Sequence, residues 1–493
     1  MSHARETAST GIPGLDDVLD GGFTRDRLYL VEGVPGAGKT TLALQFLLAG
    51  AARGEPVLYV TLSETEAELR EVASSHGWSL DGVTIQQLVP DEGLLDRDEQ
   101  STMFHPSEVE LAETTARILK EVERTGATAL VIDSLSELRL LAGHPLRYRR
   151  QILALKQYFA ARQCTVLLLD DMTDRDLQVQ SISHAVLLLE QLHPEFGADR
   201  RRLRVVKYRG VKYRGGFHDY VIRTGGLAVY PRLVAAEHRQ TRVQRRLASG
   251  IERLDMLLGG GVEEGTSTLI VGAPGTGKST LAAQFAASAA KRGEKTAIFS
   301  FDESPRTLLN RAASLGIELQ EAIDAGNTTV RQVDPAELTP GELMHEIRVA
   351  VEEHGVSIVV IDSLNGYLNA MPEERFLIVQ LHELLTFLGQ HNVATILIGA
   401  HHGLIGSQMS APVDASYLAD AIVLLRYFEA RGEVRQAISV LKKRGGQHER
   451  TIRELTFRDG RLDVGEVLRG FRGILTGVPV PEADGTPSGA TEP

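Results

Sequence analysis

Two stretches decide the reading, Gly33-Val34-Pro35-Gly36-Ala37-Gly38-Lys39-Thr40 and Gly272-Ala273-Pro274-Gly275-Thr276-Gly277-Lys278-Ser279. Both fit G-x-x-x-x-G-K-[ST], the phosphate-binding loop. Each follows an apolar run, residues 28–31 and 267–271, and the second leads into a helix-like run at 280–290. Glycines let backbone N–H groups turn inward around a polyphosphate with no Cβ in the way. The helix that follows adds the partial positive charge of its N-terminus. A lone match is a modest signal, but two copies between strand-like and helix-like runs point to nucleotide binding rather than to a glycine-rich turn.

The residues expected to contact the nucleotide are Gly33, Gly36, Ala37, Gly38, Lys39, Thr40 and Thr41 in the first copy. In the second they are Gly272, Gly275, Thr276, Gly277, Lys278, Ser279 and Thr280. The lysines would reach the β- and γ-phosphates, while Thr40 and Ser279 would hold Mg²⁺.

The surroundings of the two loops also repeat. Residues 10–22, opening Thr10-Gly11-Ile12, parallel residues 249–261, opening Ser249-Gly250-Ile251, and both continue into Leu-Asp. Lys39 and Lys278 lie 239 residues apart. That period is a duplicated domain rather than a solenoid. A chain of 493 residues is too long for one core. The expected division is a flexible start at 1–9, a first domain at 10–231, a linker at 232–248, a second domain at 249–477 and a disordered tail at 478–493. The arginine-rich stretch 232–247 reads as a solvated linker, with a subunit-interface segment as the alternative.

Within each half strands and helices alternate, which predicts an α/β fold with a mostly parallel, doubly wound sheet covered on both faces. Residues 421–428 and 437–441 read as antiparallel additions to the second sheet. The net charge of −12 argues against nucleic acid as a default partner. Cys164 is the only cysteine, which excludes a disulfide framework and a cysteine-rich metal site. No signal-peptide core opens the chain, and no window reaches the roughly 18–20 apolar residues of a membrane span. A soluble, cytoplasmic setting without membrane partners is the expectation.

Three further features carry chemistry. Asp133 and Asp362 end apolar strand-like runs, where open α/β sheets place ligands, and each would support the Mg²⁺ shell. Glu64 and Glu303 both fall 25 residues after their loop lysine, where a carboxylate could activate water or a protein hydroxyl. The alternative is a helix-capping acid, since Thr61-Leu62-Ser63-Glu64 reads as a capping box. The second half pairs Asp302 with Glu303, whereas the first has Ser63 beside Glu64. Lastly, Lys207-Tyr208-Arg209-Gly210 and Lys442-Lys443-Arg444-Gly445 share K-x-R-G. Such a pair is either a charged guard on an edge strand or two cations reaching a neighbour's γ-phosphate.

Together these motifs resemble the KaiC family over about residues 8–478. The resemblance implies two fused RecA-like P-loop NTPase domains that bind ATP and Mg²⁺. It also implies a homohexamer of two stacked rings with ATP between subunits, and small regulatory protein partners. The first ring would be an ATPase and assembly ring, with Glu64 as its lone acid. The second would be a Ser/Thr autokinase and autophosphatase, with Asp302 as general base, and the K-x-R pairs would act across interfaces, Lys207 and Arg209 in the first ring and Lys442 and Arg444 in the second. The family's phosphoacceptor pair falls on Ser416 and Tyr417, so tyrosine replaces the usual threonine. That change keeps open an ATP-dependent assembly switch without kinase activity. A RecA-like DNA motor is a weaker alternative, because residues 404–417 carry no Lys or Arg.

Overall fold

Apolar runs without polar alternation form strands buried on both faces. In the first half these are Leu28–Gly33 (β1), Val57–Thr61 (β2), Val83–Gln87 (β3), Ala129–Asp133 (β4), Thr165–Asp170 (β5) and Ala185–Leu192 (β6). Arg200–Tyr208 (β7), His218–Arg223 (β8) and Gly226–Tyr230 (β9) complete the sheet. The computed structural model describes residues 6–88, 106–172, 177–195, 197–235, 245–369, 374–400, 417–458, 460–476 and 480–481. Every residue of β1, β2, β4 and β5 is buried.

The order of this nine-stranded sheet is β9-β8-β7-β6-β1-β5-β4-β2-β3. The six strands from β6 to β3 are parallel, and β7, β8 and β9 join antiparallel. Helix Lys39–Ala52 covers one face through Leu42, Phe46 and Leu47. Helix Pro145–Ala161 covers the other through Ile152, Leu155 and Phe159, beside buried Cys164.

The second half repeats the plan. Its strands are Ser267–Gly272 (β10), Lys295–Ser300 (β11), Thr328–Gln332 (β12), Val356–Asp362 (β13), Ala394–Ala400 (β14) and Ala421–Ala430 (β15). Glu433–Lys443 (β16), Arg453–Arg458 (β17) and Arg461–Val467 (β18) follow. The order is β12-β11-β13-β14-β10-β15-β16-β17-β18. Each half is thus a doubly wound, mostly parallel α/β sheet, and the chain comprises two tandem RecA-like units.

One expectation is corrected here. Ala421–Ala430 is not an antiparallel addition, because β15 pairs parallel with β10. The 20 residues between Ala400 and Ala421 are long enough for the crossover that a parallel strand requires. The antiparallel additions begin at β16, after a tight turn with positive φ at Arg431 (55°) and Gly432 (76°).

The chain divides into compact units at Met1–Arg232 and Leu233–Pro493. Leu233 and Ala235, at the start of the arginine-rich stretch, are 5% and 3% exposed and pack in the second unit's core. Residues 236–244 and 482–493 lie outside the described residues.

The β7–β8 corner carries a pH-sensitive contact. His218 is fully buried. Its Nδ1 accepts from the Arg232 N–H at 2.8 Å and its Nε2 donates to the Arg214 carbonyl at 2.9 Å. Both nitrogens are therefore used by the neutral ring. Burial pushes its pKa down to about 4, against the carbonyl hydrogen bond and with help from Arg232 and Arg214. A base with a depressed folded pKa gives its full contribution above the unfolded value of 6.5 and loses it as pH falls toward 4. The full span is worth roughly 3 kcal/mol. We predict that thermal stability of the first unit drops between pH 7.5 and 5, and that His218→Gln shows a smaller drop over that interval. Equal drops, measured by calorimetric melting, would contradict this.

Candidate nucleotide-binding sites

Each phosphate loop sits between a central strand and the helix that follows. Gly38 has φ +90° and Gly277 φ +97°, and no side chain caps helix Lys39–Ala52 or helix Lys278–Lys291. First-turn N–H groups lack intrahelical partners, so an anion at the loop would complete them. The cradle also excludes side chains. A Cβ on Gly38 would lie 2.5 Å from Ile222 Cδ1, and one on Gly277 2.5 Å from Phe457 Cζ. This crowding and donor set fit a polyphosphate.

In the first unit Lys39 is 7% exposed. Its ammonium donates to the carbonyls of Gly33 (2.8 Å) and Val34 (3.2 Å) and pairs with Asp171 at 3.0 Å. Asp171 also accepts from Ser136 Oγ at 2.9 Å. At the end of β4, Asp133 Oδ2 accepts from Thr40 Oγ1 at 3.3 Å and from the Tyr59 hydroxyl at 2.5 Å. Burial raises the Asp133 pKa, with the Asp171 charge adding and Tyr59, Lys39 and Thr40 opposing. Burial and the same carboxylate push the Tyr59 hydroxyl well above its usual range.

Glu64 is half-buried. Burial raises its pKa first, then the charges of Asp133, Glu68 and Asp171, with Lys39 opposing. Its Oε2 is shielded from solvent and has no hydrogen-bond partner among the described residues. The capping alternative for Glu64 is corrected. Helix Glu66–Ser75 begins after Thr65, whose capping box uses Glu68. Thr61 Oγ1 instead closes a local turn on the backbone N–H and carbonyl of Glu64.

The second unit assembles the same parts with different supports. Lys278 donates to the carbonyls of Gly272 and Ala273, each at 2.9 Å, and Thr276 Oγ1 reaches the Ala273 carbonyl at 2.8 Å. Burial raises the Asp362 pKa, while the Ser279 hydrogen bond and the Arg311 charge lower it and Glu303 and Asp302 raise it. Asp302 accepts from Ser363 Oγ, and Glu303 pairs with Arg311 at 2.8 Å.

The K-x-R cations bind carbonyls of their own chain. Lys207 donates to Gln180 and Arg209 to Ser181, near the C-terminal end of helix Leu177–Ile182. Burial and the neighbouring cations Arg209 and Lys156 push the Lys207 pKa down to about 8. Lys442 donates to Ala419 (2.8 Å) and Arg444 to Tyr417 (2.7 Å). β7 and β16 lie inside their sheets, but their outer partners pair only as far as Leu203 and Ile438, so Lys207 and Lys442 lie past that register. In both units a register irregularity interrupts the ladder before Lys207 and Lys442. Tyr417 is 53% exposed. Ser416 lies outside the described residues.

Sequence reasoning missed Tyr59, Asp171 and Arg311. Asp170-Asp171 closes the apolar run that follows Asp133's strand, so its position was a usable signal. Tyr59 reaches Asp133 through tertiary packing that no local motif announces, and Arg311 reaches Glu303 from the helix that directly follows it, eight residues on.

Fold and sites define a tandem P-loop nucleotide hydrolase with two RecA-like units. The family model described as "ATPase: KaiC" matches residues 8–234 and 247–467. The chain belongs to this family. It is 28% identical to "Circadian clock oscillator protein KaiC" of Parathermosynechococcus lividus, over 95% of this chain and 87% of that protein. It is 28% identical to "Circadian clock protein KaiC3" of Synechocystis sp., over 96% and 95%. "Circadian clock protein KaiC2" of Synechocystis sp. is 27% identical over 95% and 83%.

The cradle yields a direct test. Gly277→Ala combines a left-handed backbone with a 2.5 Å contact, a strain of about 1–3 kcal/mol. Nucleotide binding at the second site should weaken by about tenfold or more. Equal affinity of this variant and the parent, by calorimetric titration in a Lys39→Ala background, would contradict the assignment.

Proposed function

We propose that this chain binds ATP with Mg²⁺ at both loops, hydrolyses it, and forms a homohexamer of two rings with ATP between subunits. The observation that carries the nucleotide reading is the repeated cradle of uncapped helix start, left-handed glycine and buried lysine. Similarity over nearly the full chain to proteins named for the circadian clock supports a regulatory role, and the ring assembly and small protein partners are carried by the family resemblance alone. Among the described residues no cluster of His, Cys, Asp and Glu could hold a metal alone. Mg²⁺ would rest on Thr40 or Ser279, backed by Asp133 or Asp362, and would neutralise charge developing on the phosphates.

In the first unit Glu64 is the base that orients and deprotonates the attacking water. Its carboxylate has one shielded, unpaired oxygen, and its raised pKa increases its basicity. Lys39 leaves Asp171 for the phosphates, and Tyr59 fixes the Asp133 carboxylate. In the second unit Asp302 is the general base for transfer to Ser416, and Lys442 and Arg444 act across the interface. Arg444 already holds the carbonyl of Tyr417, next to the proposed acceptor.

No helix among the described residues is long and apolar enough to cross a membrane. A cytoplasmic location is part of the proposal. The exposed Tyr417, standing where the family resemblance expects threonine, favours a second reading, an ATP-dependent switch that transfers no phosphate.

With the second site blocked by Lys278→Ala, Glu64→Gln should cut turnover by roughly 10²-fold or more while ATP still binds. Turnover that persists would remove Glu64 from the chemistry. Intact mass after incubation with Mg·ATP tests the kinase. Added phosphate that disappears in Ser416→Ala and Lys278→Ala supports it. Hexamers and ATP turnover without added mass decide for the switch.

A further inference from the structure

The second site holds a cation that the first lacks. Arg311, on helix Pro305–Ser314, donates from Nη1 to Glu303 Oε1 at 2.8 Å. Its Nη2 is shielded from solvent and has no hydrogen-bond partner among the described residues. The same side chain lines a cleft of about 580 Å³ whose wall includes Gly275, Gly277, Thr280 and Phe457. The cleft therefore runs along the phosphate loop. Eight residues after Glu64, the matching position in the first unit is Val72, which packs against the core.

We propose that Arg311 is a positioning residue of the second site, holding Glu303 with Nη1 and taking a phosphate oxygen of the bound nucleotide with Nη2. The inference rests on nucleotide binding at the second loop, as proposed above. A guanidinium presents its donors in a rigid planar fork that suits two oxyanions at once. The Arg311 side chain is 34% exposed and already paired with Glu303, but its shielded Nη2 is left without an acceptor, which a phosphate oxygen entering the cleft would supply. The orientation of Glu303 is thereby tied to occupancy of the site. In the first unit Val72 offers no such donor, and the local turn at Thr61 holds the backbone of Glu64 while its Oε2 has no hydrogen-bond partner among the described residues.

The test uses the full chain carrying Lys39→Ala, so that only the second site is read. Arg311→Val copies the first unit's residue, and Arg311→Lys keeps the charge without the fork. Affinity for Mg·AMP-PNP is measured by calorimetry and ATP turnover by phosphate release, each with and without Glu303→Gln.

Arg311→Val should weaken AMP-PNP by about tenfold whether or not Glu303→Gln is present. It should lower kcat only where Glu303 is intact. Arg311→Lys should recover part of the affinity and little of the kcat, and it carries the test if the valine variant does not fold. Unchanged affinity in both Arg311 variants overturns the inference, as does an equal fall in kcat with and without Glu303→Gln. A Lys39→Ala parent that binds no AMP-PNP overturns the second-site reading together with the inference. A parent that binds, with indifferent Arg311 variants, overturns the inference alone.

Discussion

A helix start without a side-chain cap, set behind a glycine that cannot be replaced without strain, is the constraint on which each unit depends. Gly38 and Gly277 take left-handed φ, and each has a side chain from the antiparallel strands pressed against it, Ile222 in one unit and Phe457 in the other. The loop is therefore walled by the strands added after the parallel sheet, and those strands help shape the nucleotide site. The buried lysine completes the arrangement. Lys39 and Lys278 both spend donors on loop carbonyls, which holds the loop in the shape an anion would find.

Around this shared cradle the two units distribute charge differently. The first gathers Asp133, Asp171 and Glu64 near one lysine and steadies Asp133 with the Tyr59 hydroxyl. Ile298 occupies the place of Tyr59 in the second unit, at the same distance from its loop lysine. There Ser363 holds Asp302 and Arg311 holds Glu303. One site thus presents a carboxylate with an unpaired oxygen, and the other clamps both of its acids. A lone, more basic carboxylate suits water activation, whereas fixed acids suit transfer to a positioned hydroxyl. The proposed division, water activation in the first unit and transfer to a hydroxyl in the second, rests on this difference in support.

Much of the fold was legible because its signals are local. The loops, the repeat, the apolar strand runs and the strand-end acids Asp133 and Asp362 occupy short windows with fixed spacing. The direction of Ala421–Ala430 was misread, because polarity depends on the path of the preceding connection and not on the strand's own residues. The role suggested for Glu64 as a cap failed for a related reason. Thr65 and Glu68 offered a competing cap one turn later. Tyr59 became visible only when register set β2 beside β4, whereas Asp171 and Arg311 stood within reach of the sequence, at a strand end and eight residues after Glu303.

The central claim, that both loops work as ATP-hydrolysing sites, is tested most directly by phosphate release from the purified chain with Mg·ATP, beside the Lys39→Ala/Lys278→Ala double variant. The account predicts steady turnover by the parent and its loss, by about 10²-fold or more, in the double variant that retains its fold. Turnover of equal rate in both proteins, or none in the parent, would contradict it.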